Sequence, residues 1–249
     1  MTKPPKVTTA AQQKAPLGTR GPGRPPRIDR ESILAATIDI GLSNLTLISI
    51  AKRLGVSTQA LYRYFPDRDA LIDVVIEQLM EHYPLPDYKG EDWCTWAYRW
   101  AGALYKFYNA LPGMAERVMA STPKIPAVLL RFETSIKIAR ETGFDEINAL
   151  WATRAITEFV HTWVAREQKR AANVSASGMT YNEVLQEIVK ANKNIGLSSF
   201  SAALKSRKAK DEDSRFDYTL RCLLEGLSQQ RQGNAEGSLI NTLGQKAFS

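Results

Sequence analysis

Residues 49–71 read SIAKRLGVSTQALYRYFPDRDAL, and this stretch decides the fold. Its helical pattern of apolar residues breaks at Gly55-Val56-Ser57 and resumes at once. Gly55 can take the left-handed conformation that turns the chain, and Ser57 is a residue type that caps a following helix. The pattern therefore predicts two short helices joined by a tight turn, which is the arrangement of a helix-turn-helix.

The second of these helices is predicted to carry a buried side and an exposed side. Leu61 and Phe65 lie four residues apart and are expected to pack inward with Val56. The residues left on or near the exposed side are polar, aromatic or basic: Thr58, Gln59, Tyr62 and Arg63. Short polar groups at the start of such a helix suit the edges of bases, while tyrosine and arginine reach phosphate oxygens. A helical hairpin with a solvated polar face is the alternative, but it leaves the aromatic residues and arginine on that side unexplained.

The surrounding residues add to this pattern. They comprise Thr46, the segments IAKRLGVS and ALYRYF, Pro66 with a charged pair behind it, and Ala70-Leu71, after a first helix that ends at Gly41. Over residues 29–75 this combination resembles the TetR family of transcriptional regulators. The resemblance implies a three-helix DNA-binding domain, a fourth connecting helix, a ligand-binding core and a homodimer held by a four-helix bundle. Leu47 and Ile48 depart from the polar side chains that often contact DNA at the start of the second helix.

The predicted DNA contacts combine the exposed side of the helix with the positions that the resemblance implies. Arg68, in the first turn of the following helix, is expected to clamp the DNA backbone. The full predicted set is Arg24, Thr46, Ser57, Thr58, Gln59, Ala60, Tyr62, Arg63, Tyr64 and Arg68.

The N-terminal arm, residues 1–26, is basic. Residues 1–30 hold seven Lys or Arg and one Asp, so six of the seven net positive charges lie there. A basic arm on a near-neutral body indicates contact with a polyanion. The segment RGPGRPPR, residues 20–27, resembles the minor-groove inserts of AT-hook peptides, with Arg24 as the inserted side chain. The alternative is an electrostatic tether that adds salt-sensitive, non-specific affinity.

The predicted fold is all-α, since no strand alternation, repeat or βαβ unit is visible in the sequence. We expect a helix-turn-helix domain over residues 27–87, a ligand-binding and dimerisation domain over 88–230, and a polar tail over 231–249. Beyond the first domain, helices are predicted near 91–111, 125–141, 145–170, 180–195 and 212–230. The segments NVSASG and KSRKAKDED, within residues 171–213, are predicted to be exposed loops.

The 145–170 helix is apolar on two sides, so one side must be buried outside its own core. We expect a homodimer through this helix and the 212–230 helix, as the resemblance implies. Candidate ligand-binding residues are Trp96, Trp100, Tyr105, Tyr108, Phe132 and Trp151, with Glu158 and His161 as polar groups that orient a ligand. Ordinary core packing is the alternative for each aromatic residue, and a satisfied interface histidine is the alternative for His161.

Other chemistry has little support in the sequence. His82 and His161 are the only histidines, and no nucleophile–base pattern, P-loop or GxGxxG is present, so no metal, cofactor or catalysis is predicted. Cys94 and Cys222 are expected to be buried reduced thiols. The N-terminus lacks the apolar core of a signal peptide and no membrane-length apolar run occurs, so the protein is expected to be cytoplasmic.

The sequence thus predicts a ligand-responsive transcriptional regulator, a repressor that binds a palindromic operator in double-stranded DNA and is released by a small, largely apolar inducer. The alternative is a helical small-molecule-binding or assembly protein with a vestigial DNA-binding domain.

Overall fold

The computed structural model describes residues 28–120, 125–206 and 211–231. Eleven α-helices and two short 3-10 turns, at Leu42–Asn44 and Lys193–Ile195, account for their regular structure, and no strand occurs within these ranges. The helices are α1 (Arg30–Ile40), α2 (Leu47–Leu54), α3 (Thr58–Tyr62), α4 (Arg68–His82), α5 (Trp93–Ala110), α6 (Met114–Met119), α7 (Pro126–Glu141), α8 (Glu146–Ser177), α9 (Tyr181–Ala191), α10 (Ser198–Ser206) and α11 (Asp211–Ser228). The all-α prediction is confirmed.

The first four helices begin where a side chain can cap them. Asp29, Thr46, Ser57 and Asp67 each accept a hydrogen bond from a backbone N–H in the first turn of α1, α2, α3 and α4, respectively. Such caps satisfy N–H groups that have no partner within the helix. α1 packs on α2 and α4, and α2 packs on α3, so these helices form one small unit around α1.

The larger part of the chain is built around α8. Helices α5, α6 and α7 pack on its buried side, and α11 packs on α5 and α8. The core contains Trp93, Trp96 and Trp100 of α5 and Ile156 and Val160 of α8. α9 and α10 pack on each other, and α9 buries none of its residues.

Several helix boundaries differ from the sequence-based expectation. The NVSASG segment is not a loop, because α8 continues to Ser177 and ends at Gly178, whose φ of 71° provides a left-handed cap. The Ser175 and Ser177 hydroxyls donate to carbonyl oxygens four residues earlier, so neither serine competes with the helix for backbone N–H groups. In KSRKAKDED, residues 205–206 end α10 and residues 211–213 begin α11.

Three further expectations need correction. α3 ends at Tyr62 rather than at Phe65, because Pro66 disfavours the helical conformation in the residue before it. α6 and α10 were not predicted at all.

Cys222 is exposed and Cys94 is half-buried, so the two thiols are not both buried. None of the described helices combines the length and apolarity that crossing a bilayer requires.

Candidate DNA-binding surface and ligand-binding core

The turn between α2 and α3 is fixed from both sides. Thr46 and Ser49 cap α2 reciprocally, each side chain bonding the other residue's backbone N–H at 2.9 Å. Gly55 ends α2 with a φ of 69°, and Ser57 Oγ accepts a 3.1 Å hydrogen bond from the N–H of Ala60. The orientation of α3 therefore follows from local backbone geometry.

One side of α3 faces outward. Leu61 is completely buried and Phe65, just beyond the helix, is nearly so, which anchors the inner side. Tyr62 is 55% exposed and Tyr64 is 64% exposed. Ser57, Gln59 and Arg63 are also exposed, while Thr58 and Ala60 are half-buried. Of the seven predicted contact residues in and beside α3, five are therefore exposed and two are half-buried, and their contact with DNA stays a prediction.

Arg68 has a role that the sequence did not indicate. Its Nε and Nη2 atoms each donate a 2.7 Å hydrogen bond, to the carbonyl oxygens of Leu45 and Leu42, respectively. These bonds hold the first turn of α4 against the segment that leads into α2. Arg68 is exposed, and its contact with DNA stays a prediction, although its guanidinium already donates to two carbonyl oxygens. Arg24 lies outside the described residues.

A cluster of aromatic residues lies in the larger part of the chain, on the side of α5 that faces α4 and the segment after it. The Trp96 and Trp100 rings stack with centroids 5.3 Å apart, and Trp96 Nε1 donates to the carbonyl oxygen of Pro86. Trp100 Nε1 is buried without a hydrogen-bond partner, and so is Gln78 Oε1 of α4. Buried polar atoms without partners are rare in folded proteins and call for an explanation.

A second group joins α5, α7 and α8. The Tyr108 and His161 rings meet edge to face at 6.1 Å, and burial raises the pKa of Tyr108 to about 12. His161 Nδ1 is also buried without a partner. Burial lowers the pKa of His161, while the nearby charge of Glu158 raises it. Phe132 is half-buried on α7.

The other predicted ligand-binding residues lie elsewhere. Tyr105 packs on Phe216 of α11 at 4.9 Å, on the far side of α5 from the tryptophan stack. Trp151 is 61% exposed on the outer side of α8. Glu158 is exposed and pairs with Arg154 at 3.3 Å. Binding of a core ligand by Trp151 and Glu158 stays a prediction, which these positions do not favour.

Two arginines tie α4 to the larger part of the chain. Arg131 of α7 donates to the carbonyl oxygens of Met80 and Tyr83 at the end of α4, and its guanidinium lies 5.6 Å from the centre of the Phe107 ring. Arg117 of α6 pairs with Asp69 in the first turn of α4 at 3.0 Å.

These arginine contacts could not be predicted from the sequence, because they join residues distant along the chain. Gln78 could have been identified from the sequence as a candidate ligand-binding residue, since it interrupts the apolar row formed by Leu71, Val75 and Leu79. Within the described ranges, no group of three or more His, Cys, Asp or Glu side chains is arranged to hold a metal ion.

Two family models match the chain. Residues 34–75 match the model of bacterial regulatory proteins of the tetR family, and residues 85–231 match the tetracyclin repressor-like C-terminal domain. The second match spans more than half of the chain.

Curated relatives agree with these matches. Tetracycline repressor protein class C from Escherichia coli is 22% identical over 213 residues, which cover 82% of this chain and 93% of the relative. Class G from Vibrio anguillarum is 28% identical over 158 residues, or 59% of this chain and 72% of the relative.

Solved structures show the same fold. Streptomyces coelicolor ActR in complex with actinorhodin has a TM-score of 0.68 at 19% identity, covering 83% of this chain and 98% of that one. A TetR variant from Acinetobacter baumannii AYE in complex with minocycline has a TM-score of 0.59 at 23% identity, covering 82% and 99%. With a capped helix-turn-helix at its N-terminus and family matches over both parts, the chain belongs to the TetR family of bacterial regulatory proteins.

Proposed function

We propose that this protein is a transcriptional repressor that binds a palindromic operator as a homodimer and releases it when a small, largely apolar ligand enters the core. The observation that carries the proposal is the exposed side of α3, where Gln59, Tyr62 and Arg63 face outward from a helix anchored by Leu61 and Phe65. A helix presented in this way enters the major groove, with its N-terminal residues at the base edges. Such a protein would act in the cytoplasm.

The ligand is proposed to bind among α4, α5, α7 and α8. Gln78 Oε1, Trp100 Nε1 and His161 Nδ1 lack hydrogen-bond partners there, and Trp100 and His161 each contact an aromatic ring. A ligand with an apolar ring system and a few hydroxyl or carbonyl groups would satisfy these atoms. Two neighbours of the same fold were solved in complex with a small molecule, which supports a small-molecule ligand for this chain.

The homodimer is proposed to form through the outer sides of α8 and α11. Ile147 and Trp151 of α8 are 53% and 61% exposed, and Tyr218 of α11 is 70% exposed. Large apolar side chains placed together on a surface are typical of a protein interface. A two-fold dimer would match a palindrome whose half-sites are about one helical turn of DNA apart.

A footprint on the DNA that flanks the protein's own gene, at physiological salt, tests the proposal. We expect a discrete protected palindrome with the unmodified protein. Tyr62→Ala should bind about 10-fold more weakly, because it removes an exposed side chain and leaves the buried residues in place. Tyr181→Ala, a substitution of an equally exposed tyrosine on α9, serves as the control and should leave the footprint unchanged. Diffuse protection that disappears with modest salt would instead support the vestigial DNA-binding domain.

A further inference from the structure

Arg131 of α7 lies where the larger part of the chain meets the end of α4. Its Nη2 atom donates hydrogen bonds to the carbonyl oxygens of Met80 and, at 2.7 Å, of Tyr83. The residue four positions after Met80 is Pro84, which has no N–H, so the Met80 carbonyl cannot be satisfied within the helix. The negative end of the helix dipole also favours a cation at this place. The two bonds therefore form a latch that ties α7 to α4.

The same guanidinium adjoins the aromatic residues of the proposed ligand-binding core. It lies 5.6 Å from the centre of the Phe107 ring. The Phe107 ring meets the Tyr108 ring at 5.2 Å and the Tyr83 ring at 6.4 Å, edge to face in both cases. Tyr108 in turn meets His161 of α8. Arg131 thus connects the end of α4 with aromatic side chains of α5 and, through them, with α8.

Arg131 is a half-buried cation, and no carboxylate in the described part of the chain forms an ion pair with it. Burial lowers the pKa of its guanidinium, and the phenol of Tyr108 raises it. Burial also lowers the pKa of His161 and raises the pKa of Tyr108 to about 12, so both of these side chains are uncharged at neutral pH. Charged groups that are withdrawn from water are normally paired. Arg131 therefore has a positive charge that an anion could neutralise.

We propose that the ligand of this protein is an aromatic acid whose carboxylate binds Arg131 and opens the latch on α4, a proposal that rests on the proposed function. A carboxylate that accepts two parallel N–H bonds from a guanidinium uses Nη2 in either orientation, together with Nη1 or with Nε. Nη2 has two hydrogens, and the two carbonyl oxygens of α4 accept them. Binding of this kind therefore removes at least one of the bonds that hold the end of α4.

A carboxylate is a stronger acceptor for Arg131 than the end of α4. It carries a full negative charge, whereas a helix C-terminus carries about half of one. Its two oxygens also match the planar fork of the guanidinium, and the ring of the ligand would pack on the aromatic residues beside it. We therefore expect the ligand to win this competition. The Met80 carbonyl then loses a partner that Pro84 cannot replace, and the last turn of α4 opens more readily.

Titration of the full-length protein with 2-naphthoate, followed by calorimetry, tests the class of ligand. We expect saturable binding of one molecule per chain. The alcohol 2-naphthylmethanol has the same ring without the charge and should bind about 10-fold more weakly. Arg131→Gln should weaken the binding of 2-naphthoate about 10-fold or more, because the charge-assisted bidentate contact is lost.

Hydrogen exchange of backbone amides, measured by mass spectrometry without DNA, tests the latch. In the unliganded protein, Arg131→Gln should speed exchange over residues 79–83 by about 5-fold or more and leave the buried part of α8 unchanged. Binding of 2-naphthoate should produce the same local increase in the unmodified protein and no further increase in Arg131→Gln. An arginine that served stability alone would affect exchange throughout the chain, and the ligand would not reproduce its loss.

Arg140→Gln is the matched control. Arg140 is an exposed arginine on the same helix, and its ion pair at 2.5 Å joins Glu146 of α8 rather than the end of α4. This variant should change the affinity and the exchange over residues 79–83 by less than about 2-fold. If Arg131→Gln fails to fold, as judged by circular dichroism, Arg131→Lys replaces it. That variant keeps the charge, loses the fork and should still weaken the binding of 2-naphthoate.

Four results would each overturn the proposal. They are no saturable binding of 2-naphthoate, equal binding of the alcohol, unchanged binding by the Arg131 variant, and binding that leaves exchange over residues 79–83 unchanged. None of these measurements involves operator DNA, so they are independent of the footprint. A protein that meets these expectations without a footprint would keep its acid site and lose the proposed repressor function.

Discussion

The guanidinium group of Arg68 donates a 2.7 Å hydrogen bond to the carbonyl oxygen of Leu45, across 23 positions of sequence. With the second bond to Leu42, this contact holds α4 against the turn before α2. The contact makes Arg68 part of the framework that positions the recognition helix. Arg68 is therefore expected to contribute to DNA binding indirectly, by holding that helix in position.

Replacing Arg68 with alanine should therefore destabilise the protein. Two carbonyl oxygens lose charged donors, but Arg68 is exposed and water replaces part of each bond, so we expect a loss of about 1 kcal/mol of unfolding free energy and a fall in operator affinity. Urea unfolding and fluorescence anisotropy on the same samples measure the two effects. Arg63→Ala is the comparison: Arg63 is exposed, so its loss should weaken operator binding and change stability by less than about 0.5 kcal/mol. Unchanged stability with lost affinity in Arg68→Ala would identify a direct phosphate contact instead.

The glycine turn provides a second prediction. Gly55 has a φ of 69° with open space around it, so alanine there meets no atom but must adopt a left-handed conformation. Gly55→Ala should cost roughly 1–2 kcal/mol of stability. Gly102, inside α5, also has open space, but Gly102→Ala should raise stability by up to about 1 kcal/mol, because alanine favours helix. Thermal unfolding compares them, and a similar shift for both variants would refute the backbone argument.

His161 should make the protein sensitive to acid. Its pKa lies below the ordinary value of 6.5, mainly because of burial. The unfolded chain therefore binds more protons than the folded one as the pH falls through 6.5, and stability is lost over the interval down to the folded pKa. Above that range the contribution is fully present.

Two variants check the assignment of this effect. His161→Gln should flatten the acid side of a plot of unfolding free energy against pH. Glu158→Gln removes the charge that raises the pKa of His161, so acid destabilisation by the histidine should extend to lower pH. Equal slopes in all three proteins would show that His161 does not control the acid side.

The proposed dimer gives a fourth prediction. Trp151→Glu places a charge on the outer side of α8, and two-fold symmetry introduces it twice. The dissociation constant of the dimer should rise by about 100-fold or more, as measured by sedimentation velocity. Leu129 of α7 is 62% exposed, about the same as Trp151, but lies outside α8 and α11. Leu129→Glu should leave the dimer intact, and dissociation by this control alone would place the interface on α7.

The sequence predicted the N-terminal helices well because their signals are local. Asp29, Thr46, Ser57 and Asp67 are residue types that cap helices, and each one does so. The predicted end of α8 was wrong because asparagine and serine are typical loop residues, whereas here the hydroxyls of Ser175 and Ser177 bond to carbonyl oxygens one turn back in the helix.

Parts of the candidate sites depend on tertiary contacts that no local pattern encodes. A helical row of apolar residues does not say which side of α8 faces the core, so Trp151 could be assigned to a ligand pocket although it lies outside. The contacts of Arg68, Arg117 and Arg131 join segments that only folding brings together. The exposed side of α3 could be predicted because it follows from the inward positions of Leu61 and Phe65.

Arg68 and Asp69 are neighbours in the first turn of α4, yet they bond in opposite directions. Arg68 holds the helix-turn-helix through two carbonyl oxygens, while Asp69 reaches Arg117 of α6 through an ion pair whose carboxylate is exposed and whose arginine is half-buried. Ion pairs that are open to solvent contribute little free energy and weaken with salt. At the first turn of α4, the contact with the larger part of the chain is therefore weaker than the contact within the helix-turn-helix, whereas Arg131 holds the other end of α4 by two hydrogen bonds. A displacement of α4 would move each helix-turn-helix as a unit. The distance between half-sites that the proposed dimer can span would change, while the bases preferred in each half-site would stay the same.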